Sequence, residues 1–216
     1  MIAKLQYISQ ENTAQTHLYA IKTALEAGCK WIQLRVKNQP EEVVLQYALE
    51  ARKLCDAFSA KLIVNDFPHV ALKAKADGLH LGLQDMPVFQ AREIVGPEMI
   101  IGGTANTFEH IRQRVSEGVS YIGLGPFRFT KTKEKLSPIL GLEGYKVIMQ
   151  QMREAKITTP IIAIGGIELT DIEVIIQTGV YGVAVSGAIT HAANPSEIVT
   201  EILEKTRFNT SSEILS

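Results

Sequence analysis

The sequence predicts a single-domain (β/α)8 barrel, and three observations lead there. Short apolar runs rich in Ile, Val and Leu alternate with amphipathic stretches eight times along the chain. Most runs are near-continuous in Ile, Val and Leu, which calls for a parallel sheet covered by helices. Eight such units use almost all of the 216 residues, with no Pro- or Ser-rich linker and no charge block, so one barrel at the compact end of its range accounts for the length. An open doubly wound sheet is the other architecture that such alternation allows.

In chain order, strands are expected at 4–9, 31–36, 61–65, 78–81, 99–102, 121–125, 161–164 and 182–185. Helix-period segments fill roughly 13–27, 40–58, 68–75, 87–95, 107–117, 141–155, 170–178 and 195–207, several followed by glycine, the residue that suits a left-handed helix C-terminus. The barrel is therefore placed at residues 1–208, and 209–216 is expected to be a frayed polar tail.

Composition narrows the function. A formal net charge of −1 provides no footprint for nucleic acid and no polybasic membrane anchor, so any anion site must be local. Cys29 and Cys55 form neither a C-x-x-C pair nor a metal-ligand spacing and read as reduced, small apolar residues. The first fifteen residues lack an apolar signal core, and no segment approaches the roughly 20 apolar residues of a membrane span, so a cytoplasmic protein is expected.

In a barrel of this kind the chemistry lies where strands end, at the C-terminal rim. Gln33, Arg35 and Lys37 share one side of the second strand, and inward cations must meet an anion or a carboxylate; the plainer reading is a solvated strand end. Asn65-Asp66 follows the third strand and Asp85 follows the fourth. Two rim carboxylates with no cysteine partner suit a hard, oxygen-bound cation such as Mg2+, although each is equally suited to capping a helix. His80, alone in an apolar strand, reads as a satisfied core residue. After the fifth strand, Gly102-Gly103-Thr104-Ala105-Asn106-Thr107 reads as a turn of glycine and hydroxyl residues in which Thr107 caps the next helix.

The sixth strand leads into Gly123-Leu124-Gly125-Pro126-Phe127-Arg128-Phe129-Thr130-Lys131-Thr132-Lys133, whose glycines, hydroxyls and ammonium groups suit a pyrophosphate clamp; a basic surface loop is the alternative. Small residues after the last two strands, Gly165-Gly166 and Ser186-Gly187, match the usual phosphate position of barrels without naming the ligand.

Taken together and in order, Gln33-Leu34-Arg35-x-Lys37, Asn65-Asp66, the run from Asp77 to Gly82 ending at Asp85, Gly125-Pro126 with Thr130-x-Thr132-Lys133, the stretch 160–167 and the strand at 182–185 closely resemble the thiamine-phosphate synthase family, to about residue 207. The resemblance implies a transferase that joins 4-amino-5-hydroxymethyl-2-methylpyrimidine diphosphate to 4-methyl-5-(2-phosphoethyl)thiazole, or its carboxylated form, and releases pyrophosphate. It implies Mg2+ on Asp66 and Asp85, and contacts to the pyrimidine diphosphate from Gln33, Arg35, Lys37, Asn65 and Lys133. Arg35, Lys37 and Lys133 would be the catalytic cations. Thr104 would meet pyrimidine or pyrophosphate, while Thr130, Thr132 and the backbone near Gly166, Ser186 and Gly187 would meet the thiazole phosphate.

A homodimer is expected on the same ground. Gly187, Asn106 and Phe129 depart from the family's usual Ser, His and small residue, which bears on thiazole-phosphate affinity. A thiazole tautomerase and a catalytically silent phosphate-binding module are the competing readings, and the full set of rim cations and carboxylates speaks against both.

Overall fold

A computed structural model describes residues 2–11, 15–129 and 138–207. Eight parallel strands close into a barrel in sequence order, with β1 (Leu5–Ile8) paired to β2 (Trp31–Leu34) on one side and β8 (Gly182–Val185) on the other. Between these run β3 (Lys61–Asn65), β4 (Gly78–Leu81), β5 (Ile100–Ala105), β6 (Tyr121–Leu124) and β7 (Ile161–Ala163). The closed barrel replaces the open-sheet alternative. No helix among the described residues is long and apolar enough to cross a membrane.

Helices α1 (His17–Glu26), α2 (Glu41–Ala57), α3 (Pro68–Lys73), α4 (Val88–Val95), α5 (Phe108–Ser116), α6 (Gly141–Glu154), α7 (Ile172–Ile176) and α9 (Pro195–Arg207) occupy the expected segments. Thr107 caps α5 as its position suggests, its hydroxyl accepting the His110 N–H at 3.2 Å. One element was not expected: a single-turn helix α8 (Gly187–Thr190) directly after β8. Its four residues carry no amphipathic period, so only the local backbone reveals it.

Two cores follow from strand alternation. Residues facing outward, such as Leu34, Leu62, Leu79 and Val183, pack under the helices. Those facing inward, including Trp31, Ile63, Tyr121 and Ile162, fill the barrel. Buried Cys29 and Cys55 are free thiols, pushed up to about 11 and about 12 by desolvation, and so behave as small apolar residues.

The fifth strand corrects the sequence reading. Gly102-Gly103-Thr104 is not a turn: β5 continues to Ala105, pairing Gly103 with Ile122 and Thr104 with Gly123. The glycines belong in the strand because large neighbours take their side-chain space. An added Cβ at Gly102 would lie 2.1 Å from the Tyr121 ring, and one at Gly103 would lie 2.6 Å from Arg114 Cδ. Conversely β2 stops at Leu34, two residues early, because the Arg35 N–H turns to the Ser9 hydroxyl at 3.0 Å.

Candidate active site

The ends of β2, β3 and β4 bring four charged side chains together. Lys37 pairs with Asp66, and Arg35 feels both Asp66 and Asp85. Asp66 sits in the left-handed region at φ 68°, and its N–H donates to the His80 carbonyl at 2.9 Å, which anchors it to the neighbouring strand. Asp85 is held by the Gly82 N–H, which donates to its Oδ2 at 2.6 Å.

Neither aspartate is a helix cap, since α3 starts from Phe67 and α4 from Pro87, both without a side-chain cap. The carboxylates instead face each other. Burial, with a hydrogen bond to Asp85 adding to it, raises Asp66 to about 6 even though Lys37 pulls the other way. Burial also lowers Arg35, opposed by the two aspartates.

Burial and this crowding together hold Asp66 above the ordinary carboxylate range and make the two carboxylates a dense set of oxygen donors. They fit a hard divalent ion, which would relieve the repulsion and leave remaining positions to water or phosphate oxygens. Among the described residues no third His, Cys, Asp or Glu joins them.

Beside this cluster opens a cavity of about 480 Å3. Arg35 lines it on one side and the turns Gly165-Gly166 and Ser186-Gly187 on the other. Gly165 and Gly166 take φ values of 93° and 69°, a conformation that disfavours residues with a side chain. The Ser186 hydroxyl donates to the Ile8 carbonyl at 2.6 Å, so it secures the turn across the seam between β8 and β1.

Under the rim lies a polar floor. Tyr121 OH and Thr104 Oγ1 flank His80 at 3.0 and 3.1 Å, and Gln6 links Tyr121 to Gln33, each contact at 3.4 Å. His80 is thus the satisfied interior residue that was expected. Asn65 is buried at the end of β3, on the inward face shared with Ile63.

The structure therefore assembles Gln33, Arg35, Lys37, Asn65, Asp66, Asp85 and Thr104 on one side and Gly166, Ser186 and Gly187 on the other. Thr130, Thr132 and Lys133 lie outside the described residues, as does the predicted tail at 209–216.

Several cavity residues escaped the sequence reading. Arg128 donates two bonds to the Asp171 carboxylate, at 2.6 and 2.9 Å, and one to the Gly166 carbonyl at 2.8 Å, stitching the loop after β6 to the turn after β7. Gln10 meets His191 at 2.9 Å at the mouth. These partners are 43 and 181 residues apart, and no local pattern announces them. Asn106 bonds the Gly125 carbonyl with its side-chain amide, so the departure at this position serves the rim backbone.

Fold and site define a class: a (β/α)8 barrel with a buried carboxylate pair and two cations at its C-terminal rim, beside a cavity bounded by glycine turns. Comparison with known proteins narrows it. Residues 5–189 match the family model described as thiamine monophosphate synthase, and the chain belongs to that family.

Among relatives, the thiamine-phosphate synthase of Flavobacterium psychrophilum is 52% identical over 205 residues, covering 95% of this chain and all of that one. That of Bacteroides thetaiotaomicron is 48% identical, covering 95% of this chain and 99% of its own. The solved thiamine phosphate pyrophosphorylase of Pyrococcus furiosus superposes with a TM-score of 0.82 at 30% identity, covering 94% and 95% of the two chains. Orotidine 5'-phosphate decarboxylase of Pyrococcus horikoshii, at 15% identity and a TM-score of 0.66, shares the fold alone.

Proposed function

We propose that the barrel, residues 1–208, joins the pyrimidine diphosphate to the thiazole phosphate at this rim, with Mg2+ held by Asp66 and Asp85. The reaction class follows from the family: the chain is an enzyme of thiamine biosynthesis, a transferase from which pyrophosphate leaves. The observation that carries the assignment of parts is that Arg35 stands between the carboxylate pair and the cavity with its phosphate turns, so two phosphorylated ligands meet there end to end.

In this reading Arg35, Lys37 and Lys133 receive the diphosphate. As the carbon–oxygen bond breaks, its electron pair stays on the departing oxygen, and cations held in a half-buried site stabilise that charge as it grows. The bound ion would supply the remaining neutralisation of the diphosphate. Thr104 and Gln33, fixed by the floor, and Asn65 beside them orient the aminopyrimidine, whose ring delocalises the positive charge on its methylene. The turns at Gly166 and Ser186-Gly187, with Thr130 and Thr132, hold the thiazole phosphate so that the ring nitrogen donates its lone pair to that carbon. Holding the two a few ångströms apart and excluding water does the work a nucleophile would otherwise do. The buried thiols, both shifted upward, are unsuited to that role.

The test is pyrophosphate release from the purified protein supplied with both substrates, with Mg2+ and with chelator. Release that needs both substrates and the ion supports the reading. Thiazole-phosphate binding without release overturns it in favour of tautomerase or silent-module behaviour. On the same reading the enzyme acts in the cytoplasm as a homodimer of twice the 23.8 kDa chain mass, and light scattering on the eluted protein measures that mass.

A further inference from the structure

Arg114 is a buried arginine, 4% exposed, on the outer side of the sheet and away from the rim cations. Every nitrogen of its guanidinium is engaged. Nε donates to the Thr104 carbonyl at 3.1 Å, Nη2 to the Gly82 carbonyl at 2.8 Å, and Nη1 pairs with Glu117 at 2.7 Å. The space it fills exists because residue 103 is glycine, where any Cβ would strike its Cδ.

Gly82 is the residue to watch. Its carbonyl is taken by Arg114, and its N–H holds Asp85. A Cβ at Gly82 would lie 2.7 Å from the Asp85 carboxylate oxygen, so the turn closes tightly on itself. Glycine has no side chain to limit rotation, and hydrogen bonds on its two peptide groups therefore set the turn. The carbonyl and the N–H belong to adjacent peptide groups joined at the Gly82 Cα, so the grip of Arg114 on the one limits how far the other, which aims Asp85, can turn.

We infer that Arg114 is a positioning residue for Asp85: through Gly82 it aims one carboxylate of the cation pair, and through Thr104 it fixes that carboxylate relative to the polar floor. The inference rests on the reading of Asp66 and Asp85 as the cation site. The bidentate reach of a guanidinium is what the job needs, because the two carbonyls belong to different strand ends and a lysine ammonium is a point charge without that planar fork. Partners that orient a ligand typically carry a substantial share of metal affinity.

The experiment measures Mn2+ affinity of the substrate-free protein by electron paramagnetic resonance of the free ion, alongside calorimetric affinity for the thiazole phosphate. Arg114→Met is expected to weaken Mn2+ binding roughly tenfold and Arg114→Lys about three- to fivefold. Thiazole-phosphate affinity should stay within about twofold, because the phosphate turns share no partner with Arg114. Mn2+ affinity unchanged in both variants while Asp85→Asn lowers it overturns the role of Arg114 and leaves the cation site standing. Mn2+ affinity unchanged in Asp85→Asn overturns the cation reading itself, and this inference with it. Parallel loss of both affinities in Arg114→Lys shows general loosening and also overturns the inference. The lysine variant, which keeps the charge beside Glu117, serves if the methionine variant does not fold.

Discussion

Replacing Asp66 by asparagine should stabilise the metal-free protein at neutral pH while abolishing its response to Mg2+. At pH 7 the wild-type carboxyl must ionise beside Asp85 in a site where its side chain is only 15% exposed. Its folded value of about 6 stands above the ordinary 3.8, so the folded state binds more protons than the unfolded chain between those limits. The sign follows: stability is lost as pH rises from about 4 to about 6, and the loss is complete above that. The full difference corresponds to about 3 kcal/mol, and sharing of the proton with Asp85 makes ~1–2 kcal/mol the expected gain.

Asparagine is the right probe for two reasons. It tolerates the left-handed backbone that Asp66 adopts at φ 68°, and its amide can still donate to Asp85 as the protonated acid does. Urea denaturation in chelator at pH 4 and pH 7.5 measures the effect. The two proteins should have similar stability at pH 4, and the variant should be the more stable at pH 7.5. Added Mg2+ should then raise wild-type stability and leave the variant unchanged. A variant less stable than wild type at pH 7.5, or a gap that does not vary with pH, would refute the picture of two crowded, mutually repelling carboxylates.

Other expectations test the remaining parts of the site. Gly166→Ala imposes a side chain at φ 69° and places its Cβ 2.5 Å from Arg128 Cγ, so thiazole-phosphate affinity measured by calorimetry should fall roughly tenfold. By contrast Gly187→Ser meets nothing closer than His191 Cδ2 at 3.4 Å. It should change stability by less than about 0.5 kcal/mol and bind the thiazole phosphate at least as well; a clear loss would show that the turn cannot host a hydroxyl.

Tyr145→Phe removes a fully buried hydroxyl that donates to the Leu124 carbonyl and accepts the Ile164 N–H at 3.3 Å, and should cost about 1–2 kcal/mol in urea denaturation. Lys133→Ala should lower steady-state turnover by at least about a hundredfold with an unchanged denaturation midpoint, and near-normal turnover would remove this lysine from the diphosphate clamp.

How much of this was legible in advance varied with the range of the interaction. The order and number of strands could be read because each apolar run and each helical period is a local pattern. The meeting of Asp66 and Asp85 could be read because they follow strands that are neighbours in any (β/α)8 barrel, so it needs only the chain order. The same holds for the turns after β7 and β8, which the barrel brings to one cavity.

The misreading at Gly102-Gly103 shows where local pattern stops. Two successive glycines suit a turn as well as a strand, and the choice was made by the Tyr121 ring and the Arg114 side chain, which arrive from the next strand and the next helix to occupy the missing volume. Arg128 with Asp171 and Gln10 with His191 belong to the same category, since basic, acidic and amide residues are ordinary on a surface until closure of the barrel makes them partners.

By itself, then, the sequence determined the barrel, its order and the kinds of atom presented at its mouth, because periodicity and residue chemistry are properties of neighbours in the chain. Only the tertiary structure decided which carbonyl each buried guanidinium grips, how closely the two rim carboxylates crowd and which glycine gives way to a ring, because those outcomes depend on volumes and fields from residues remote in sequence.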